Sequence, residues 1–292
     1  MTVSTADLKI TWEKLPADYI LDEEPVENID QPLLAAALRE ILEIAGLIVT
    51  GILIAPNMGI CATVDEQLVI KSPDWFYASN VQPPENQEIR RSYTPNLEGD
   101  IPAIVMEFLS ATANDEYSTV ATYPPGKWYF YERILQVPIY AIFAPATGRL
   151  EVNQLNSLGE YQSYIPDANN RYWIEVIGLF LGVWYGTKTE RTGYWLRWWD
   201  ESGEMLLWGA EMVERERQER EIAQQEVELE RQQRTIAQQQ AELERQEREI
   251  AQQQAELERQ EREIAQQQAD RERERSSILA AQLRAAGLEP EA

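Results

Sequence analysis

Along the first two hundred residues, apolar side chains come in short blocks with two different spacings. In "QPLLAAALREILEIAG" (31–46), Leu33, Leu34, Ala37, Leu38, Ile41 and Leu42 recur three and four apart. They fall on one face of a helix, which Gly46 is placed to end. The stretches "LIVTGILIA" (47–55) and "ICATVDEQLVIKSPDWFYA" (60–78) are rich in β-branched and aromatic residues and predict strands, the second a hairpin or bent strand around Asp65-Glu66. A polar, proline-containing loop (80–100) leads into "GDIPAIVMEFLSAT" (99–112), where Ile101, Ile104, Val105, Met106, Phe108 and Leu109 predict a buried strand. "GKWYFYERILQ" (126–136) follows Pro124 and Pro125 and predicts a helix. "VPIYAIFAPATGRLEVNQL" (137–155) reads as strand, turn and strand. The order is helix, three strands, helix, two strands: a mixed α/β core built on one sheet.

Two further hairpins are predicted at "RYWIEVIGLFLGVWYG" (171–186) and "GYWLRWWDESGEMLLWG" (193–209), dense in aromatics. A tryptophan cluster can stack on sugars or bases. Large aromatics more often fill a core or cover a sheet face, and that reading carries the greater weight here.

After "LLWGAE" (206–211) the pattern changes. All nine tryptophans lie upstream; downstream are Glu, Arg, Gln and Ala with no aromatic residue. This divides the chain into a domain at 1–210 and a tail at 211–292. "RTIAQQQAELERQE" (234–247) recurs as "REIAQQQAELERQE" (248–261), and fourteen residues are two heptads. Ile222, Leu229, Ile236, Leu243, Ile250, Leu257 and Ile264 stand seven apart, one column on a helix that over about 75 residues reaches roughly 110 Å. With that column at a, every d position from 225 to 267 is Gln, and a parallel pair sets Glu242 against Glu247. Glu230–Arg234, Glu244–Arg248 and Glu258–Arg262 instead pair within the helix. The tail is therefore either a solvated spacer helix or a weak coiled coil. The more apolar end, "SSILAAQLRAAGLEPEA", reads as a cap or a fold-back.

Composition narrows the chemistry. There is no histidine, which removes Ser-His-Asp and Cys-His catalysis and the helical zinc-protease motifs. One cysteine, Cys61, excludes an internal disulfide framework and argues against structural zinc. "YPPGKWYF" lacks the spacing of a phosphate-binding loop. No signal pattern is present, and no apolar run approaches the roughly 18 residues of a membrane span, so a cytoplasmic, reducing setting and no membrane partner are expected. Net charge is −24: residues 1–210 hold 13 Lys+Arg against 29 Asp+Glu, and 211–292 hold 13 against 21. Such a balance weighs against a general polyanion binder.

What remains is chemistry by carboxylates, lysine and an oxygen-ligated metal. Glu107 stands alone inside its apolar strand, and burying an unpaired carboxylate costs several kcal/mol. It must be protonated, paired, near a strand end, or bound to a cation. Asp74, in "IKSPDWFYA", lies where another apolar strand has ended, and adjacent strands would set the two side by side. Two carboxylates held close repel unless a cation intervenes, and Mg²⁺ (or Mn²⁺) suits one or two protein carboxylates. Lys127, opening the next helix, is the candidate for orienting water.

The run "SPDW … EGDIPAIVMEFLSA … YPPGKWYFYERILQVPIYAIFAP" resembles the Uma family of restriction-endonuclease-like proteins, in the PD-(D/E)XK nuclease superfamily, over about residues 30–210. The ending "LAAQLRAAGLEPE" after a charged helix also resembles tails found on that family. The resemblance implies an αβββαβ core, Mg²⁺-dependent hydrolysis of DNA, metal ligands at Asp74 and Glu107, and a water-positioning Lys127. It departs from the superfamily motif in one respect: the position two after the acidic residue, where Lys is usual, is Leu109. Glu40 or Glu43 on the first helix is a further ligand candidate. The rival expectation is a non-catalytic nuclease-fold scaffold whose helical tail forms oligomers or binds a protein partner.

Overall fold

The structure, a computed structural model, describes residues 8–14, 29–84, 89–110 and 115–287, and the chain divides into two units, 1–214 and 215–292. In chain order the elements are β1 (Ile10–Thr11), α1 (Asp30–Ile44), β2 (Leu53–Ala55), β3 (Gly59–Val64), β4 (Gln67–Lys71), β5 (Trp75–Ala78), β6 (Ser92–Tyr93) and β7 (Ile104–Phe108). Then come α2 (Lys127–Tyr129), β8 (Ile139–Ala144), β9 (Arg149–Leu155), β10 (Tyr161–Ser163), β11 (Tyr172–Ile174), β12 (Leu179–Lys188), β13 (Arg191–Trp199) and α3 (Gly209–Ala285).

The central sheet has six strands in the order β10-β9-β8-β7-β5-β2. Its kernel is α1, the antiparallel run β2, β5, β7, then α2, then β8 returning parallel beside β7. This is a restriction-endonuclease-like αβββαβ core, and a long helical tail follows it. The expectation of a single sheet needs correction. The β3–β4 hairpin, turning on Asp65 and Glu66 with positive φ, leaves the central sheet for a second one shared with β1 and β6. Ser72 and Pro73 break the run between β4 and β5, where Pro73 has no N–H to give a continuing ladder, while β1 and β6 supply the partners of the second sheet. The two hairpins expected at 171–186 and 193–209 also merge. β11, β12 and β13 form one three-stranded meander, and the segment after Trp199 adds only a bridge to Met205.

Period-two alternation sorts the central strands onto two faces. Trp75, Tyr77, Ile104, Met106, Phe108, Ala141 and Phe143 pack beneath α1 and the meander. Phe76, Ala78, Val105, Tyr140 and Ile142 pack with the helical segment 127–135 and the second sheet. The tryptophans mostly serve the first face. Trp75, Trp195, Trp198 and Trp208 are buried, and the indole N–H groups of Trp198 and Trp208 donate to the carbonyls of Leu38 (3.2 Å) and Ala37 (3.1 Å) on α1. Arg197, fully buried, stacks 3.5 Å from the Trp208 ring centroid and pairs with Glu211 at 2.7 Å.

In the tail, α3 runs unbroken to Ala285, so 276–285 continues the helix rather than folding back; 288–292 lie outside the described residues. The Ile/Leu column from Ile222 to Ile264 is 53–59% exposed at every position. Exposed pairs such as Glu244–Arg248 (3.3 Å) and Arg245–Glu249 (3.7 Å) run along the surface. Each is worth a few tenths of a kcal/mol. Among the described residues, no helix is long and apolar enough to cross a membrane.

Candidate active site

The β5–β7 register pairs Trp75 with Met106 and Phe76 with Val105. One step further along the same register, Asp74 comes opposite Glu107, both on the face that carries Phe76 and Val105. The Phe108 N–H donates to Asp74 Oδ2 at 2.5 Å, so the backbone of the Glu107 strand itself holds Asp74 in place.

Across from this pair stands the segment that begins with α2. Gly126 caps it with extended backbone, and a Cβ there would meet the Ser118 carbonyl oxygen at 2.2 Å, so only glycine fits. After one α turn the helix widens to a π-helix over Phe130–Leu135, a feature frequent at functional sites and not legible in the apolar spacing. Lys127 and Tyr131, four apart, both reach Glu107: Lys127 Nζ donates to Oε2 at 3.1 Å and the Tyr131 hydroxyl to Oε1 at 3.0 Å. Glu107 is thus buried, paired with a cation and hydrogen-bonded on both oxygens. Leu109 holds the usual lysine position while the ammonium arrives from the helix instead.

Burial pushes the Asp74 carboxyl up to about 6, against the Phe108 N–H bond and the Lys127 charge. Burial pushes Glu107 up to about 8; Lys127 opposes this and the Asp74 charge adds to it. For Lys127 burial acts downward, but the Glu107, Asp74 and Glu116 carboxylates outweigh it and hold the ammonium protonated. Glu116, on a single 3-10 turn (Asp115–Tyr117), is a further acidic group that sequence reasoning missed. It is buried, and its Oε2 has no hydrogen-bond partner. Cys61 is no alternative nucleophile: it is buried, and burial pushes its thiol up to about 11.

Glu40 and Glu43 stand elsewhere. Glu43 is exposed on α1. Both oxygens of Glu40 are engaged, Oε1 by the Gly209 N–H at the start of α3 (3.0 Å) and Oε2 by Lys188 (2.6 Å). A carboxylate so committed is not a free ligand. Glu40→Gln is therefore expected to lower thermal stability but to leave Mn²⁺ affinity, measured by calorimetry, unchanged.

Residues 23–184 match the Uma2 family, described as "Putative restriction endonuclease". The chain belongs to that family. A comparison with curated proteins finds no match. Membership in Uma2 makes the chain restriction-endonuclease-like, a group that generally uses divalent metals. Among the described residues of this Uma2 chain, no three His, Cys, Asp or Glu side chains gather at ligating distance. The donor set is instead two facing carboxylates, Asp74 and Glu107, with one lysine and an unpartnered Glu116 oxygen beside them. All the carboxylate donors at this point are hard oxygens. That fits a cation such as Mg²⁺, which takes one or two carboxylates and keeps its waters, and does not fit zinc.

Proposed function

We propose that the 1–214 unit is a metal-dependent nuclease hydrolysing DNA phosphodiester bonds, with Asp74 and Glu107 holding Mg²⁺ or Mn²⁺ and Lys127 positioning the attacking water. The observation that carries this reading is the convergence of two buried carboxylates from facing strands with the Lys127 ammonium, 3.1 Å from Glu107. A bound divalent ion supplies two things there: it lowers the pKa of a water, and it stabilises charge on the phosphate.

The chain's own residues do the rest. The Phe108 N–H fixes the Asp74 carboxylate through its Oδ2. Tyr131, fully buried, holds Glu107 Oε1 and sets the carboxylate plane, leaving Oε2 toward Lys127. Lys127, charged across the neutral range, orients water by hydrogen bonding and offsets negative charge growing on the phosphoryl oxygens. Burial of Asp74 and Glu107, and partial burial of Lys127, strengthens each of these interactions.

The test uses the full chain. Calorimetry with Mn²⁺ is expected to show binding in the wild type and none in Asp74→Asn or Glu107→Gln. With Mg²⁺ or Mn²⁺, supercoiled plasmid and single-stranded oligonucleotides are expected to be cut by the wild type alone. Wild-type protein that binds no metal at millimolar concentration would end this reading. A second reading, the scaffold with an associating tail, is favoured by the exposed Ile/Leu column and the acidic balance of residues 1–210. It predicts concentration-dependent association in sedimentation equilibrium that Leu243→Gln with Ile250→Gln abolishes.

A further inference from the structure

Four carboxylate side chains are buried in the 1–214 unit among the described residues: Asp74, Glu107, Glu116 and Glu132. Three are accounted for. Asp74 accepts from Phe108, and Glu107 from Lys127 and Tyr131; Glu132 accepts from Arg133 at 2.9 Å and from the Tyr161 N–H at 2.6 Å. Glu116 differs: it is 5% exposed, and its Oε2 is sealed from solvent with no partner. Leaving a buried acceptor in that state costs roughly 1–3 kcal/mol.

The backbone of the turn that carries Glu116 is held on several sides. The Tyr140 hydroxyl donates to the Glu116 carbonyl at 2.9 Å, and Tyr140 lies 5.1 Å, ring to ring, from Tyr131, which holds Glu107. The next residue, Tyr117, stacks on Trp128 at 6.4 Å, adjacent to Lys127. Ser118 then packs against Gly126, and its carbonyl accepts from the Tyr129 N–H at 3.3 Å. The turn carrying Glu116 is therefore fastened to the helical segment that delivers Lys127 and to β8, the parallel neighbour of the strand that carries Glu107. The Lys127 ammonium, already on Glu107, does not hydrogen-bond to the Glu116 oxygen.

Among the described residues no group of three His, Cys, Asp or Glu side chains is placed to hold a metal ion, so Glu116 is not grouped with Asp74 and Glu107 as an inner ligand. A strongly hydrated cation offers something else, the O–H groups of the waters it keeps. We propose that Glu116 is a positioning residue that accepts a hydrogen bond from a water on the cation held by Asp74 and Glu107. This rests on the metal reading above and adds a residue that neither the sequence pattern nor the family match singles out. It also makes the site selective for ions that retain water.

The experiment measures Mn²⁺ affinity by calorimetry and metal-free thermal stability on the full chain, for wild type, Glu116→Gln, Glu116→Asp and Asp74→Asn. Glu116→Gln is expected to weaken Mn²⁺ about tenfold, Glu116→Asp less, and Asp74→Asn to remove binding. Without metal, Glu116→Gln is expected to melt at or above the wild-type temperature, since Glu116 Oε2 makes no hydrogen bond for the substitution to remove. A merely structural Glu116 gives the opposite sign, lower stability with unchanged affinity, and overturns the proposal. If Asp74→Asn loses Mn²⁺ while both Glu116 variants keep wild-type affinity, this inference fails and the metal site stands. If the wild type binds none, both fail.

Discussion

Without divalent metal, Asp74→Asn melts above the wild type at pH 8 and level with it at pH 4. The sign follows from the direction of the shift. Asp74 titrates near 3.8 when unfolded and near 6 when folded, so between those values the native state binds more protons than the unfolded chain. Stability then falls as pH rises through that window. Glu107, raised from 4.5 to about 8, extends the same trend upward. Asparagine removes the Asp74 penalty while its side-chain oxygen still accepts from the Phe108 N–H. A shift of about two units corresponds to roughly 3 kcal/mol, and the burial of Asp74 leaves little solvent screening to discount. At about 2–4 °C per kcal/mol for a unit of this size, the gain is several degrees in a thermal melt. Glu107→Gln is the less clean variant, because it also takes from Lys127 its nearest partner. Saturating Mn²⁺ is expected to reverse the order, since only the wild type gains stability from binding. If Asp74→Asn melts lower at pH 8 without metal, the carboxylate is serving the fold and not a ligand.

The parts of this fold that were legible in sequence are those governed by local spacing. The stripe from Leu33 to Leu42 is α1 because three- and four-residue recurrence admits one buried face. The β3–β4 turn at Asp65-Glu66 was legible because two polar residues interrupt otherwise apolar flanks. What spacing does not carry is which strands share a sheet. β3 and β4 leave the central sheet through Ser72 and Pro73, a choice made by pairing with β1 and β6 far away in sequence. The three residues that meet at the site, Asp74, Glu107 and Lys127, were identifiable because each breaks a local rule: a carboxylate after a strand, a carboxylate inside one, a lysine opening an aromatic helix. Tyr131 breaks none, although its four-residue offset from Lys127 was available. Glu116 sits in a polar stretch where one more Glu carries no signal; only the sealed Oε2 sets it apart.

Lys127→Met is expected to separate metal binding from hydrolysis more sharply than any other substitution. The carboxylates proposed to hold the cation remain, and the opposing positive charge is gone, so Mn²⁺ affinity by calorimetry is expected to stay at or above the wild-type value. Cleavage is expected to fall on the order of a thousandfold, the usual scale for losing one preorganised electrostatic contact to the reacting group. The fold suffers too, by about 3–5 kcal/mol at pH 8, because removing one partner of a buried pair strands the other. That cost depends on pH in a checkable direction. Below the folded pKa of Glu107 the carboxyl is neutral and needs no cation, so the destabilisation shrinks as pH falls from 8 toward 5. Urea unfolding at the two pH values measures this. A Lys127→Met chain that loses metal binding along with activity would show the ammonium organising the carboxylates, not the water. One that retains full cleavage would remove Lys127 from the chemistry and return the catalytic burden to the metal's own hydration shell, where Glu116 is the remaining candidate acceptor.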